Sequence, residues 1–352
     1  MRILFDGPYS KSAKSGIAKY FERLSLELTK KHSVFFSRRS FSDNSSEINL
    51  PFPFHFRPHR FSFFMERLWF QYFTRKPFQI IHPIEYELSP AGEYCHKRNS
   101  KLVITVHDLI HEKFGAPGKL YEKESRSSFY AKANGFIFVS DSTRKDFGEF
   151  YPELADHTPS AVIWHGNNFE NTNRIDTKKK NQVLFVGARD GYKNFKGAVE
   201  SFRLVASDLI DLRLVVAGPP AQPSELSLVQ DLHQRVDWIT YPDENELRQT
   251  YAESVALLYV SKYEGFGMPI VEAMSQGCIP VAINHSSLPE IMGDAGILLK
   301  SSDPHEIGQA ISKCCKDNDF SKLKVRLGET RCKIFNWEKC AKEVLSFYKE
   351  LF

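Results

Sequence analysis

Two carboxylates with seven residues between them, Glu264 and Glu272, flank a glycine turn in the segment Ser261–Pro289, SKYEGFGMPIVEAMSQGCIPVAINHSSLP. The apolar run Val255–Val260 before it has the length and composition of a buried strand. Gly265 and Gly267 allow the backbone to turn tightly and to approach a ligand closely. Pro269 suits the first helical position, and Gly277 suits the residue just past the helix end. The amides of Gly267 and Met268 would then sit at a helix N-terminus, where unsatisfied N–H groups and the helix dipole favour an anion such as a phosphate. A carboxylate beside a phosphate is repulsive. The two acids make chemical sense here when each accepts hydrogen bonds from neutral hydroxyls, so the segment reads as a holder for a sugar joined to a diphosphate. The plain alternative is a strand, a turn and a helix whose acids face water.

Other residues bear on the same chemistry. QVLFVG runs into ARDGYKNF, which puts Arg189 and Lys193 on the loop after a strand, where two cations would neutralise a departing diphosphate. A solvated basic loop is the plainer reading. VITVHDLIH carries His107 and His111 at the four-residue spacing of the helical zinc motif H-E-x-x-H. Its second residue is Asp, and the β-rich run before His107 puts that histidine at a strand end, so zinc is excluded. Asp317-Asn318-Asp319 has the Asp-x-Asp form that elsewhere holds a divalent metal on a diphosphate. It falls between two helical stretches near the C-terminus, where a turn is the simpler use. Neither an essential metal nor another cofactor is expected.

The elements that must position these residues come in two similar sets. In the first half, strands Arg2–Asp6, Ser33–Ser37, Gln79–His82, Leu102–His107 and Phe136–Val139 alternate with helical patterns over Gly16–Lys31 and Lys119–Ala133. In the second, Val183–Val186, Leu212–Ala217, Val236–Ile239, Val255–Val260 and Ile279–Ala282 repeat the alternation. Such alternation implies parallel sheets with crossover helices, two doubly wound α/β domains with their strand carboxyl ends facing a cleft. The expected boundaries are residues 1–168, a polar linker at 169–181, a second domain at 182–336, and a final amphipathic helix at 337–352.

The chain has 352 residues, enough for two cores, with 42% hydrophobic and 26% charged residues, ordinary values for a soluble protein. No apolar run reaches membrane-spanning length, and MRILFDGPYS has no basic and apolar leader pattern, so a cytoplasmic location is expected. Six cysteines show no metal or disulfide spacing and read as reduced, mostly buried thiols. Residues 1–175 hold 25 Lys and Arg against 19 Asp and Glu, whereas residues 176–352 hold 22 against 24, so an anionic partner is expected for the first half. Residues 52–73 carry eight Phe with Trp69 and Tyr72, and residues 57–76 carry five Lys and Arg. That run suits peripheral contact with an anionic lipid surface through residues 52–76, or an ordinary buried helix. No nucleic-acid recognition module is visible.

Glu-x7-Glu, with Gly-Phe-Gly-Met-Pro after the first acid and Glu-Ala-Met at the second, resembles the signature of family 4 glycosyltransferases. VSDSTRKDF, SSLPEIMGDAG and WEKCAKEV match further blocks of that family in the right order. The resemblance implies the GT-B architecture of two Rossmann-like domains, with the last helix packing back on the first. It implies transfer of a sugar, with retention and without a metal, from a nucleotide-diphosphate donor to a glycan or lipid-linked saccharide, as in cell-surface polysaccharide synthesis. By position it gives Glu264 the donor sugar and Glu272 the ribose, with Gly265, Phe266, Gly267, Met268 and Pro269 in the donor loop. Lys193 and Arg189 meet the diphosphate. His107 and Asp108 lie near the transferred sugar, and Gly16 is what remains of a glycine-rich donor loop. The base is expected against the backbone of Trp238–Tyr241. Two other readings stay open: a nucleotide-sugar epimerase of similar fold, and a non-catalytic glycan- or membrane-binding subunit. A nicotinamide dehydrogenase is excluded, since no G-x-G-x-x-G follows a predicted strand.

Overall fold

A computed structural model of the chain describes residues 1–9, 16–39, 48–49, 68, 77–115, 123–169, 174–189 and 191–352. The aromatic and basic run at 52–76 lies, but for one residue, outside them. The chain divides into two units, Met1–His165 with Trp337–Phe352, and Gly166–Asn336.

The first unit contains strands β1 (Arg2–Tyr9), β2 (Ser33–Arg39), β3 (Ile48–Asn49), β4 (Ile80–Pro83), β5 (Lys101–Val106), β6 (Gly135–Phe138) and β7 (Ser160–Val162), all parallel, in the order β3-β2-β1-β4-β5-β6-β7. Its described helices are α1 (Gly16–Leu28), α2 (Pro90–His96), α3 (Ile110–Phe114), α4 (Lys123–Tyr130), α5 (Asp141–Phe150) and α6 (Pro152–His157). The final helix, Trp337–Glu350, belongs to this unit, and a buried hydrogen-bond chain ties it down. Tyr348 Oη lies 2.5 Å from His82 Nδ1, and His82 Nε2 lies 2.7 Å from Thr105 Oγ1.

The second unit contains β8 (Gln182–Val186), β9 (Arg213–Gly218), β10 (Val236–Thr240), β11 (Ala256–Tyr259), β12 (Ile279–Ile283) and β13 (Ile297–Leu299), parallel in the order β10-β9-β8-β11-β12-β13. Strands β11 and β12, ALLY and IPVAI, are buried along their whole length, as central parallel strands covered on both faces must be. Their apolar side chains join Phe185, Phe202, Leu214 and Ile307 in one core. In both sheets the strand order reverses once, at β1/β4 and at β8/β11. In open α/β sheets that switch point is where the crevice for a ligand opens.

Expected element types hold, with ends displaced by a few residues. The helix expected over 119–133 is described as Lys123–Tyr130 and closes in a tighter turn, Lys132 N donating to Phe129 O and Ala133 N to Tyr130 O. Strands β3, β7 and β13 were not expected, because two or three residues are too few to show a period. The described part of the stretch expected as a linker is strapped to the second unit: Ile175 N donates to Gln276 Oε1, Lys179 Nζ to Ser254 O, and Lys180 pairs with Glu253 at 2.6 Å. The unit boundary accordingly falls at His165/Gly166, before residue 168. Among the described residues no helix is long and apolar enough to cross a membrane.

Candidate functional site

The two loops that leave β8 and β11 at their carboxyl ends flank the switch point of the second unit, and they carry Lys193 and Glu264. Lys193 Nζ lies 2.7 Å from Glu264 Oε1, with the side chains 16% and 9% exposed. A pair this secluded is screened far less than a surface ion pair. Burial and the neighbouring Glu264, to which it is hydrogen-bonded, push the Tyr259 phenol well above its ordinary value, so it stays a neutral donor. The backbone of the turn is held from one side. Ser286 Oγ accepts from Glu264 N at 2.9 Å, and Ser287 Oγ contacts the carbonyls of Glu264 and Phe266, each at 2.9 Å. Ser286 is in the left-handed region at φ 54°, an uncommon state for serine.

The turn ends at Gly267, whose φ of 99° strains any other residue, and helix α7 (Met268–Ser275) begins there. Pro269 therefore occupies the second helical position, one later than expected, and Gly277 follows the helix at φ 66°. Of the two glycines in the turn, Gly267 alone takes the left-handed conformation. Phe266 is 5% exposed, and its ring packs edge-on against Phe335 at 5.8 Å, which anchors the loop. One turn into the helix, Glu272 is 4% exposed. Asn168 Nδ2 donates to its Oε1 at 2.7 Å, and Tyr251 Oη donates to its Oε2 at 3.1 Å.

Arg189 is placed differently from Lys193. Its side chain is 3% exposed, with Nε 2.8 Å from Glu225 Oε1, and NH2 donates to the carbonyls of Pro219 and Pro220, each at 2.9 Å. The guanidinium lies over the Trp238 ring at 5.3 Å. Glu225 and two carbonyls of the loop after β9 thus brace Nε and NH2 against that loop, while NH1 is buried without a hydrogen-bond partner among the described residues. Tyr241, just past β10, is half-exposed and held at φ 47°.

The remaining expected residues belong to the first unit. His107 directly follows β5, outside any helix, whereas His111 is in α3, so the two do not share the helical face a zinc pair needs. Burial pushes the His107 imidazole down to about 3, and its Nε2 has no hydrogen-bond partner. It is a neutral ring with one buried nitrogen unsatisfied. Asp108 Oδ1 accepts from Ile110 N at 3.1 Å and so starts α3. Gly16 is the first residue of α1, and among the described residues no atom lies within 4 Å of where a Cβ would stand. Asp317 of the Asp-x-Asp accepts from Phe320 N at 2.9 Å as the N-cap of the helix Asn318–Arg331.

Asn168, Tyr251, Tyr259 and the Ser286-Ser287 pair were not singled out from sequence as site residues. A Ser-Ser before Leu-Pro-Glu was the one available signal, and its role depends on contacts across the fold.

Two Rossmann-like units, with a buried acid pair and a lysine at one switch point, define the GT-B class of sugar transferases. A model of glycosyl transferases group 1 matches residues 168–332, and a model of glycosyltransferase family 4 matches residues 14–170. The two matches together take in residues 14–332 and support a glycosyltransferase of the family 4 type. O-antigen chain mannosyltransferase B of Escherichia coli is 25% identical over the whole of both chains. O-antigen chain mannosyltransferase RfbU of Salmonella typhimurium is 27% identical over 59% of each. Among solved structures, sucrose-phosphate synthase from Thermosynechococcus elongatus has a TM-score of 0.78 at 20% identity, covering 100% of this chain and 99% of that one. Anabaena HepE in complex with UDP and glucose has a TM-score of 0.75 at 14% identity, covering 99% and 100%.

Proposed function

We propose that this glycosyltransferase moves a hexose, mannose first among candidates, from a nucleoside-diphosphate donor to a saccharide acceptor in cell-surface polysaccharide synthesis, with retention at the anomeric carbon. The observation that carries the reading is the Lys193–Glu264 pair beside Glu272 at the β8/β11 switch point. Glu264 orients the sugar, Glu272 accepts the ribose hydroxyls, and Lys193 together with the first-turn amides of α7 faces the diphosphate. Relatives named as O-antigen mannosyltransferases support the choice of sugar and acceptor class. Glu264 is held by Lys193 and Tyr259 and acts through charge and hydrogen bonding, not as a covalent nucleophile of the glycosidase kind.

Metal independence belongs to the same proposal. It rests on the use of Asp317 of the Asp-x-Asp as a helix cap. A lipid-linked acceptor is supported by the aromatic and basic residues at 52–76.

The test is a panel of uridine, guanosine and adenosine diphosphate sugars, mannose donors included, assayed for hydrolysis and for transfer with and without chelator. One donor should be turned over, chelation should leave its rate unchanged, and the product should keep the anomeric configuration. Inversion, or activity lost to chelator and restored by magnesium, would contradict the respective part. Epimerised free nucleotide sugar without acceptor would replace the whole reading.

A further inference from the structure

Glu264 and Glu272 are both buried, yet they are neutralised in different ways. Glu264 meets a lysine, whereas the two partners of Glu272, Asn168 and Tyr251, are neutral. A buried carboxylate stays ionised at low cost only when its lone pairs are satisfied. Each oxygen of a carboxylate can accept about two hydrogen bonds. The two neutral donors therefore occupy one position on each oxygen of Glu272, keep the full negative charge, and leave acceptor capacity on both oxygens. Two fixed donors on opposite oxygens also lock the rotation of the carboxylate plane.

The donors are themselves braced. Tyr251, on the helix Glu244–Glu253, is fully buried, and the Phe169 ring packs against it at 6.0 Å. Asn168 sits in the segment by which the chain enters the second unit. That segment is held where Phe169 N donates to the Asn167 side chain at 3.0 Å and Asn167 N donates to Phe335 O at 3.0 Å.

We infer that Asn168 and Tyr251 are positioning residues that aim Glu272 at the ribose hydroxyls of the donor, so that ribose recognition depends on both although neither touches the ligand. The inference rests on the assignment of Glu272 to the ribose. Burial pushes the Tyr251 phenol well above its ordinary value, which keeps its proton in place to donate.

The experiment uses the whole chain and measures binding of UDP, GDP and ADP by calorimetry, followed by the 2′,3′-dideoxy form of whichever binds. Wild type should bind the ribose form roughly tenfold or more tightly than the dideoxy form. In Tyr251→Phe and in the neutral, similarly sized Asn168→Leu, affinity for the ribose form should fall roughly tenfold, while affinity for the dideoxy form stays within about twofold. In turnover, the loss should appear in donor KM more than in kcat. Equal weakening of both ligand forms, or variants that keep full ribose discrimination, would overturn the positioning role. A wild type indifferent to the ribose hydroxyls, or a Glu272→Gln variant that keeps full discrimination, would instead overturn the assignment of Glu272. Thermal melting of each variant checks that the fold persists. If Asn168→Leu fails to fold, Tyr251→Phe, which removes a single oxygen, decides the question.

Discussion

Lys193 reaches across 71 positions of sequence to hold the first acid of the motif at 2.7 Å, and this contact gives the loop after β8 its role. Transition-state charge is best met by donors already fixed in place and shielded from water, and one such donor is worth about 3 kcal/mol. Lys193→Met should therefore lower kcat about a hundredfold or more, with a smaller change in donor affinity. Arg189→Met should act otherwise. Its guanidinium serves Glu225 and the Pro219 and Pro220 carbonyls, so its loss should lower the melting temperature as well as the rate. Steady-state kinetics beside thermal melting separates the two, and a stable Arg189→Met with a hundredfold loss of kcat would restore Arg189 to the diphosphate. Both cations were legible as loop residues after a strand. Which of them meets Glu264 was not, because Arg189 and Lys193 are only four positions apart and the path of the loop decides.

At the scale of elements, helices α3 and α4 are joined by a buried ion pair. Arg126 and Glu112, 0% and 2% exposed at their side chains, lie 2.9 Å apart. Tyr151 Oη also donates to Glu112, the Arg126 guanidinium donates to Tyr130 Oη, and it stacks on the Tyr86 ring at 3.9 Å. Removing one partner strands a buried charge, which costs about 3–5 kcal/mol, whereas an apolar pair of similar volume is often tolerated. Glu112→Ala should thus destabilise the protein severely, and the double variant Glu112→Leu/Arg126→Met should recover much of the loss. Urea unfolding curves give the comparison. Equal stability of Glu112→Ala and wild type would show that the pair adds nothing. The sequence showed a helical pattern over α4 and nothing of this network, whose members come from four separate stretches of chain.

Over the whole molecule, acid should act chiefly through buried histidines of the first unit. Burial pushes His82 and His107 down to about 3, and His165 well below its ordinary value. The unfolded chain takes up protons near 6.5 and the folded unit does not, so stability is complete above about 6.5 and declines as pH falls from there toward 3. Each such imidazole contributes about 1.4 kcal/mol per pH unit over that window. Urea unfolding at pH 7 and pH 5 should show the loss, and replacing His82 by Gln should reduce the pH slope. A slope unchanged by that variant would mean that other groups carry the acid sensitivity.

Local pattern was enough to place the longer parallel strands, the Val255–Val260 strand among them, the glycine turn and the helix start, since period, length and the conformational freedom of Gly267 are properties of neighbours in sequence. For the same reason Glu264 and Glu272, four residues before and after the helix start at Met268, could be singled out as candidate acceptors for hydroxyls. Charge compensation was decided only by tertiary structure. Strand order brings the loop of β8 beside that of β11, so Lys193 meets Glu264, and it sets Asn168, 104 positions away, against Glu272. It also moved Phe266 into the core, drew the expected linker onto the second unit, and joined Tyr348 to His82 across 266 positions. A buried polar group must find its partner wherever the chain supplies one, and that choice depends on strand order, which no local window of sequence contains.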